Sequence, residues 1–189
     1  DAQKEAFSSL SKNPYDRQKL FSLEQNFINE SDKRLDFICQ VIKKSTQNSL
    51  VLFHKIAYGE KLHKKLRTIT DKKVYYVDGE EFKKRMEKND DVIIVASYGT
   101  FSTGISIKNI HNIFFTESFK SEVIIRQSIG RGLRTHENKD VVKIYDFIDD
   151  FRYKADEHDW VNYVYRHGME RRKIYKEEKF PFEVQNVRY

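Results

Sequence analysis

The stretch Gln127-Ser128-Ile129-Gly130-Arg131-Gly132-Leu133-Arg134 sets an amide and two guanidiniums at spacings of four and three residues. On a helix turning about 100° per residue, Gln127, Arg131 and Arg134 share one side, and Ile125 and Ile129 take the opposite one. A guanidinium is a planar, permanently charged fork that matches phosphate oxygens. Two arginines on a helix are ordinarily a solvated face, but Gly130 and Gly132 point elsewhere. Each glycine inside a helix costs roughly 0.5–1 kcal/mol relative to alanine, and two so close suggest that something large approaches the backbone. The chemistry implied is phosphate binding.

The elements that must position this stretch follow from the pattern of apolar residues. Residues 1–46 read as helical. Ser31 is a suitable N-cap, with Asp32 in the first turn and Leu35, Ile38, Cys39 and Ile42 as an apolar stripe. Residues 15–30 form a weaker helix with Leu20, Leu23 and Phe27 as its stripe. Strands are expected at Leu50–Phe53, Val74–Val77, Val92–Ala96, His111–Thr116 and Val141–Ile148. Helices are expected from Gly59-Glu60, with Leu62 and Leu66 inward, and over Glu80–Lys88, with Phe82 and Met86 inward. Alternating helices and near-continuous apolar strands predict an α/β fold, a parallel sheet covered on both faces. The working edge of such a sheet lies at the carboxyl ends of its strands, and the glycine-bearing loops after residues 77, 96 and 126 lie on or near it. Beyond Asp150 the chain is rich in aromatics and in both charge signs. We read one helix over 157–178 and an extended tail after Pro181. Its aromatics are expected to pack back on the domain, with base stacking as the alternative.

The whole chain sets further bounds. At 189 residues, 39% hydrophobic and 34% charged, it can bury one good core. No apolar run reaches the roughly 18 residues of a membrane span. A start at Asp1-Ala2-Gln3-Lys4 reads as neither signal peptide nor initiator, so a domain cut from a longer protein is expected. The single cysteine, Cys39, excludes an internal disulfide and a cysteine zinc cluster, which fits a reducing cytoplasm. The net charge of +6 and pI near 9.2 permit a polyanionic partner. The basic excess is local: residues 51–90 carry 11 Lys/Arg against 7 Asp/Glu, and residues 91–150 carry 7 against 8.

The loop after the third strand contains a decoy. Gly99 to Ser106 reads G-x-x-x-x-G-Ile-Ser, one residue from a P-loop, but Ile105 stands where the phosphate-reaching lysine belongs. The loop still offers closely spaced backbone N–H groups and hydroxyls suited to a backbone phosphate. The six histidines show no metal spacing, and His63 and His111 read as structural or exposed. Asp146, Asp149 and Asp150 follow the fifth strand and read as a solvated strand end, with metal binding as the lesser alternative. No Ser/His/Asp or Cys/His arrangement is suggested.

Taken together, Gln127-x-x-Gly130-Arg131-x-x-Arg134 resembles the sixth motif of superfamily 2 helicases. Thr100–Ser106 is similar to their fifth motif and Leu50–Lys55 to their fourth. Gly79 stands where a backbone-approaching glycine follows the next strand. Ala96–Gly104 and Tyr145–Asp150 point to the phage recombination and repair branch. The resemblance implies a RecA-like second motor domain over 47–150, with 1–46 as helical lead-in from a first motor domain and 151–189 as C-terminal helix and tail. It implies an ATP-dependent helicase or translocase in which Arg134 is the arginine finger, Arg131 its neighbour on the same phosphate, and Gln127 the residue orienting them. Gly104 and Ser106 would join Arg131 and Arg134 on the nucleotide, although Ser106 stands where the family often has a ribose-binding aspartate. His54, Lys55, Gly79, Tyr98 and Thr100 would lie on the nucleic-acid backbone. ATP and Mg²⁺ would be held mainly by the first RecA-like domain, since this chain has no P-loop and no Asp-Glu motif. Alone it is therefore expected to be inactive. The implied partners are that domain and DNA, branched or single-stranded, or an RNA–DNA hybrid, in a host cytoplasm and away from membranes. The alternatives are a non-hydrolysing nucleic-acid-binding module of the same fold and a double-stranded DNA translocase subunit of a restriction-type assembly.

Overall fold

The computed structural model describes residues 17–77, 90–99, 110–119, 126, 141–155 and 158–188. Five parallel strands form the sheet: β1 (Ser49–Phe53), β2 (Lys73–Tyr76), β3 (Val92–Ser97), β4 (Asn112–Phe115) and β5 (Lys143–Asp146), in the order β2-β3-β1-β4-β5. The three central strands are buried on both faces, because alternate residues enter two separate cores. Leu50, Leu52, Val92, Ile94, Ala96, Ile113 and Phe115 face one side, and Val51, Phe53, Ile93, Val95 and Phe114 face the other. The expected parallel sheet with helices on both faces is therefore present.

The second face is covered by α2 (Asp32–Lys43), which follows α1 (Arg17–Glu30), and by α3 (Ile56–Ile69). Ser31 caps α2 as expected, its Oγ accepting the Arg34 N–H at 3.3 Å. Leu35, Ile38, Cys39 and Ile42 pack inward, and burial pushes the Cys39 thiol up to about 12. α3 begins at Ile56, three residues before the expected start. Gly59 lies inside it, because a Cβ there would stand 2.5 Å from the Phe53 ring; the glycine lets α3 settle on β1.

α1 (Arg17–Glu30) corrects the expected stripe. Leu20 and Ile28 are buried, but Leu23 and Phe27 are 39% and 41% exposed. The buried face instead carries Glu24, Gln25 and Asn29. Tertiary hydrogen bonds set its orientation: Gln25 Nε2 donates to the Ser118 carbonyl at 3.1 Å, and the Val164 N–H donates to Glu24 Oε2 at 2.9 Å. Hydrophobic periodicity cannot register a polar face of this kind.

The single helix expected over 157–178 is also corrected. A two-stranded antiparallel ribbon, β6 (Tyr153–Ala155) and β7 (His158–Trp160), precedes α4 (Tyr163–Glu177). Asn162 precedes α4 but its side chain is engaged elsewhere, donating to the Asp149 carbonyl at 3.0 Å and accepting from the Phe151 N–H. Glu24 supplies the missing cap from 140 residues away. Ile174 and Tyr175 of α4 complete the first core, with Phe180 half-buried against it, whereas Phe182 is 41% exposed. Among the described residues no helix is long and apolar enough to cross a membrane.

Glu24 yields a pH prediction. Burial raises its carboxyl above the ordinary 4.5, partly opposed by the Tyr163 and Val164 N–H groups. The folded state thus binds this proton more readily than the unfolded state, and stability rises as pH falls from neutral through the raised value, levelling off near 4.5. Oε1, which has no partner among the described residues, is free to take the proton while Oε2 keeps Val164. Exposed Asp150 works oppositely: its hydrogen bonds from Arg152 lower its carboxyl below the ordinary 3.8, so its contribution is lost only in more acidic solution. Melting temperatures between pH 7 and 4.5 are expected to rise less in Glu24→Gln than in the wild type. Identical slopes would remove Glu24 as the source.

Candidate functional site

The carboxyl ends of β3, β1 and β4 lie side by side. Phe53 is in register with Ser97, and Leu52 with Phe115. The segments after these strands leave together where strand order departs from chain order, the crevice that ligands occupy in open α/β sheets. They lead to the three stretches singled out in the sequence: His54-Lys55, the loop from Tyr98, and the run towards Gln127–Arg134.

His54 is exposed and Lys55 half-buried at this edge. Tyr98 is 2% exposed, its ring 4.3 Å from Phe119 and 6.2 Å from Phe115 between centroids. Burial raises its phenol well above the ordinary range. The Tyr98 side chain is thus a core group, and only its backbone stands at the edge. Gly79, Thr100, Gly104, Ser106, Gln127, Arg131 and Arg134 lie outside the described residues, as does the helix expected at 80–88.

Three buried polar groups that sequence reasoning missed build this edge. Glu117, two residues beyond β4, is fully buried. Its Oε2 accepts the N–H groups of His54 and Lys55, the latter at 2.9 Å, and its Oε1 accepts Asn29 Nδ2 at 2.6 Å. Arg34 is 1% exposed and grips Asp149 through two bonds of 2.6 and 2.8 Å. It also donates to the Tyr58 hydroxyl at 2.9 Å and to the Thr116 carbonyl at 2.8 Å. Arg171, also 1% exposed, holds Asp146 at 2.7 Å and donates to the Phe119 carbonyl at 2.8 Å, while the Tyr175 hydroxyl donates to Asp146 at 3.0 Å. Asp146 and Asp149 are therefore neither a solvated strand end nor a metal site; only Asp150 remains exposed, paired with Arg152. A lone arginine on a helix reads as solvated until the sheet brings its carboxylate. No sequence signal separates Arg34 from its exposed neighbour Lys33.

Arg34 and Arg171 clamp the carbonyls of Thr116 and Phe119, and Arg126, immediately before Gln127, pairs with Glu178 at the end of α4. Among the described residues no group of three or more His, Cys, Asp or Glu could hold a metal. Part of the basic surplus is already committed. Lys65 pairs with Asp36 at 2.6 Å, and Lys72 with Asp91 at 2.7 Å beside the amino ends of the strands. His63 lies against Tyr76 and His111 is buried, which takes the structural of the two expected readings, structural or exposed.

No protein-family profile matches the chain. The ATP-dependent DNA helicase UvsW of Enterobacteria phage T4 is 34% identical over 89% of this chain, which corresponds to 37% of UvsW. IRC3 of Saccharomyces cerevisiae is 39% identical over 61 residues, 32% of this chain and 9% of its own. The crystal structure of T4 UvsW superposes with a TM-score of 0.70 at 33% identity, covering 92% of this chain and 37% of that one. The C-terminal part of the Fun30 ATPase domain superposes at 0.54 with 18% identity, covering 80% and 55%, a likeness of fold. The chain thus spans a little over a third of the length of UvsW.

Proposed function

Because this chain is a homologue of the T4 helicase UvsW and carries the RecA-like fold of superfamily 2 helicase C-terminal domains, we propose that it is the second motor domain of an ATP-dependent helicase or translocase acting on DNA. The observation that carries this reading is the 34% identity to a DNA helicase over 89% of the chain. The meeting of the three loop roots at one sheet edge supports it.

In this reading Arg134 reaches the γ-phosphate across a cleft, Arg131 contacts the same phosphate, and Gln127 orients both. Gly104 and Ser106 flank the nucleotide. When bound between two such domains, ATP with Mg²⁺ supplies the phosphoanhydride whose cleavage drives the motor. The acids described here fit no metal, since Asp146 and Asp149 are taken by arginines, so the ion falls to the first domain and this chain alone turns over no ATP. Arg131 and Arg134 argue against a binding-only module, which needs no finger. On the nucleic-acid side, Lys55 and His54 face the sugar–phosphate backbone with Gly79, Thr100 and the Tyr98 backbone. None of these reads base edges, so binding follows salt and not sequence.

The test is DNA binding by this chain across a salt series. Lys55→Ala is expected to weaken affinity about tenfold, equivalent to roughly 1.4 kcal/mol. It should also lower the slope of log K against log salt by about one contact. An unchanged slope removes Lys55 from the interface.

A further inference from the structure

The β1–α3 loop is held by an anion that the chain itself supplies. α3 starts with Lys55 as its N-cap, a side chain that cannot accept a hydrogen bond, and no side-chain cap is made there. Such a helix start attracts an anion, through both its orphan N–H groups and the helix dipole. Glu117 occupies that place from within the core. One oxygen takes the N–H groups of His54 and Lys55, and the other takes Asn29 of α1. Those two N–H groups are therefore not available to a nucleic-acid phosphate, and the cation that the loop carries is the Lys55 ammonium. The ammonium is itself oriented from α1, with Nζ donating to Asn26 Oδ1 at 2.5 Å. Lys55 is thus held at both ends, its backbone by Glu117 and its tip by the helix that also steadies Glu117.

We propose that Glu117 is a positioning residue for nucleic-acid binding, aiming the Lys55 ammonium by fixing the backbone from which it extends. This rests on the reading of Lys55 as a backbone contact. Holding a long, flexible side chain in its bound direction before the ligand arrives removes an ordering penalty from binding. The loop N–H groups need an acceptor, which Glu117→Leu removes. Glu117→Gln can keep it: its amide oxygen takes the loop N–H groups and its NH₂ donates to Asn29 Oδ1, an acceptor without a hydrogen-bond partner among the described residues, once the Asn29 amide turns.

The test is a double-mutant cycle on the 189-residue chain, reading affinity for a single-stranded oligonucleotide across a salt series. Glu117→Leu is expected to lose about as much affinity as Lys55→Ala, close to tenfold, with the same fall in salt slope, and Glu117→Gln to lose less. The Lys55→Ala/Glu117→Leu double variant should bind no more weakly than Lys55→Ala alone. A general loss of structure would instead add to the Lys55→Ala effect, giving about a hundredfold in the double variant, and that outcome overturns the proposal. So does wild-type affinity and slope in Glu117→Leu. If Lys55→Ala changes nothing, the Lys55 reading fails and this inference with it, whereas a Lys55→Ala loss with an additive double variant overturns this inference alone. Should Glu117→Leu not fold, Asn29→Ala, which frees only one carboxylate oxygen, is expected to give a smaller loss that vanishes on the Lys55→Ala background; additivity there is equally decisive.

Discussion

Replacing Arg134 by alanine, in a polypeptide that also carries the first motor domain, is expected to reduce ATP turnover by about 10³–10⁵-fold. That corresponds to roughly 4–7 kcal/mol of barrier. The size follows from where the charge is needed. Phosphoryl transfer spreads negative charge over oxygens that water cannot solvate in a closed cleft, and a preplaced guanidinium meets it without reorganisation. Arg134→Lys should not rescue, because a point charge on a flexible stem does not reproduce the planar fork. DNA affinity without nucleotide should stay near wild type, because the proposed DNA contacts lie on other loops. Steady-state hydrolysis at saturating DNA, paired with nucleotide-free binding, separates these effects. Turnover within tenfold of wild type would mean that Arg134 is not the finger.

Asp149→Ala is expected to destabilise the fold by about 3–5 kcal/mol, the usual cost of leaving a buried ion without its partner. For a chain of this size that is a fall of roughly 6–20 °C in melting temperature. Arg34 is 1% exposed and gives two of its hydrogen bonds to this carboxylate, so removal strands a charge that water cannot easily reach. The bonds to Tyr58 and the Thr116 carbonyl would remain, but neither partner is an anion. Replacing both members by apolar residues, Arg34→Met with Asp149→Leu, should recover much of the loss, since the pair's own desolvation is then avoided. A melting temperature within about 2 °C of wild type for Asp149→Ala would show that the site relaxes or hydrates. Because Arg34 holds the carbonyl of Thr116, next to Glu117, a softened pair is expected to loosen the loop that carries Lys55.

Much of the fold was legible in the chain. Leu50–Phe53 and Val92–Ala96 are apolar at every position and of strand length, as a sheet covered on both faces requires. Ser31 announced α2 through local chemistry, because a cap needs only its own turn. The errors share one cause. Leu23 and Phe27 are apolar yet outward, whereas Glu24 and Asn29 are polar yet inward, because their partners, the Val164 N–H and Glu117, come from 140 and 88 residues away. The start of α4 was misplaced for the same reason, its cap arriving from α1 and not from Asn162. Asp146 and Asp149 looked solvated because nothing near them in sequence advertises Arg171 or Arg34.

By itself the sequence determined the class of fold, the helix that Ser31 caps and the motif Gln127-x-x-Gly130-Arg131-x-x-Arg134. Each depends on period and on contacts between near neighbours, which survive in one dimension. Only the tertiary structure decided that β3, β1 and β4 are neighbours, so that the roots of their loops lie side by side. Only it showed that Tyr98 belongs to the core and that Glu117 fills the anion position beneath Lys55. Those facts depend on which buried donors and acceptors find each other across the sheet. A buried polar group is tolerated only when such a partner exists, and the identity of the partner is settled by packing.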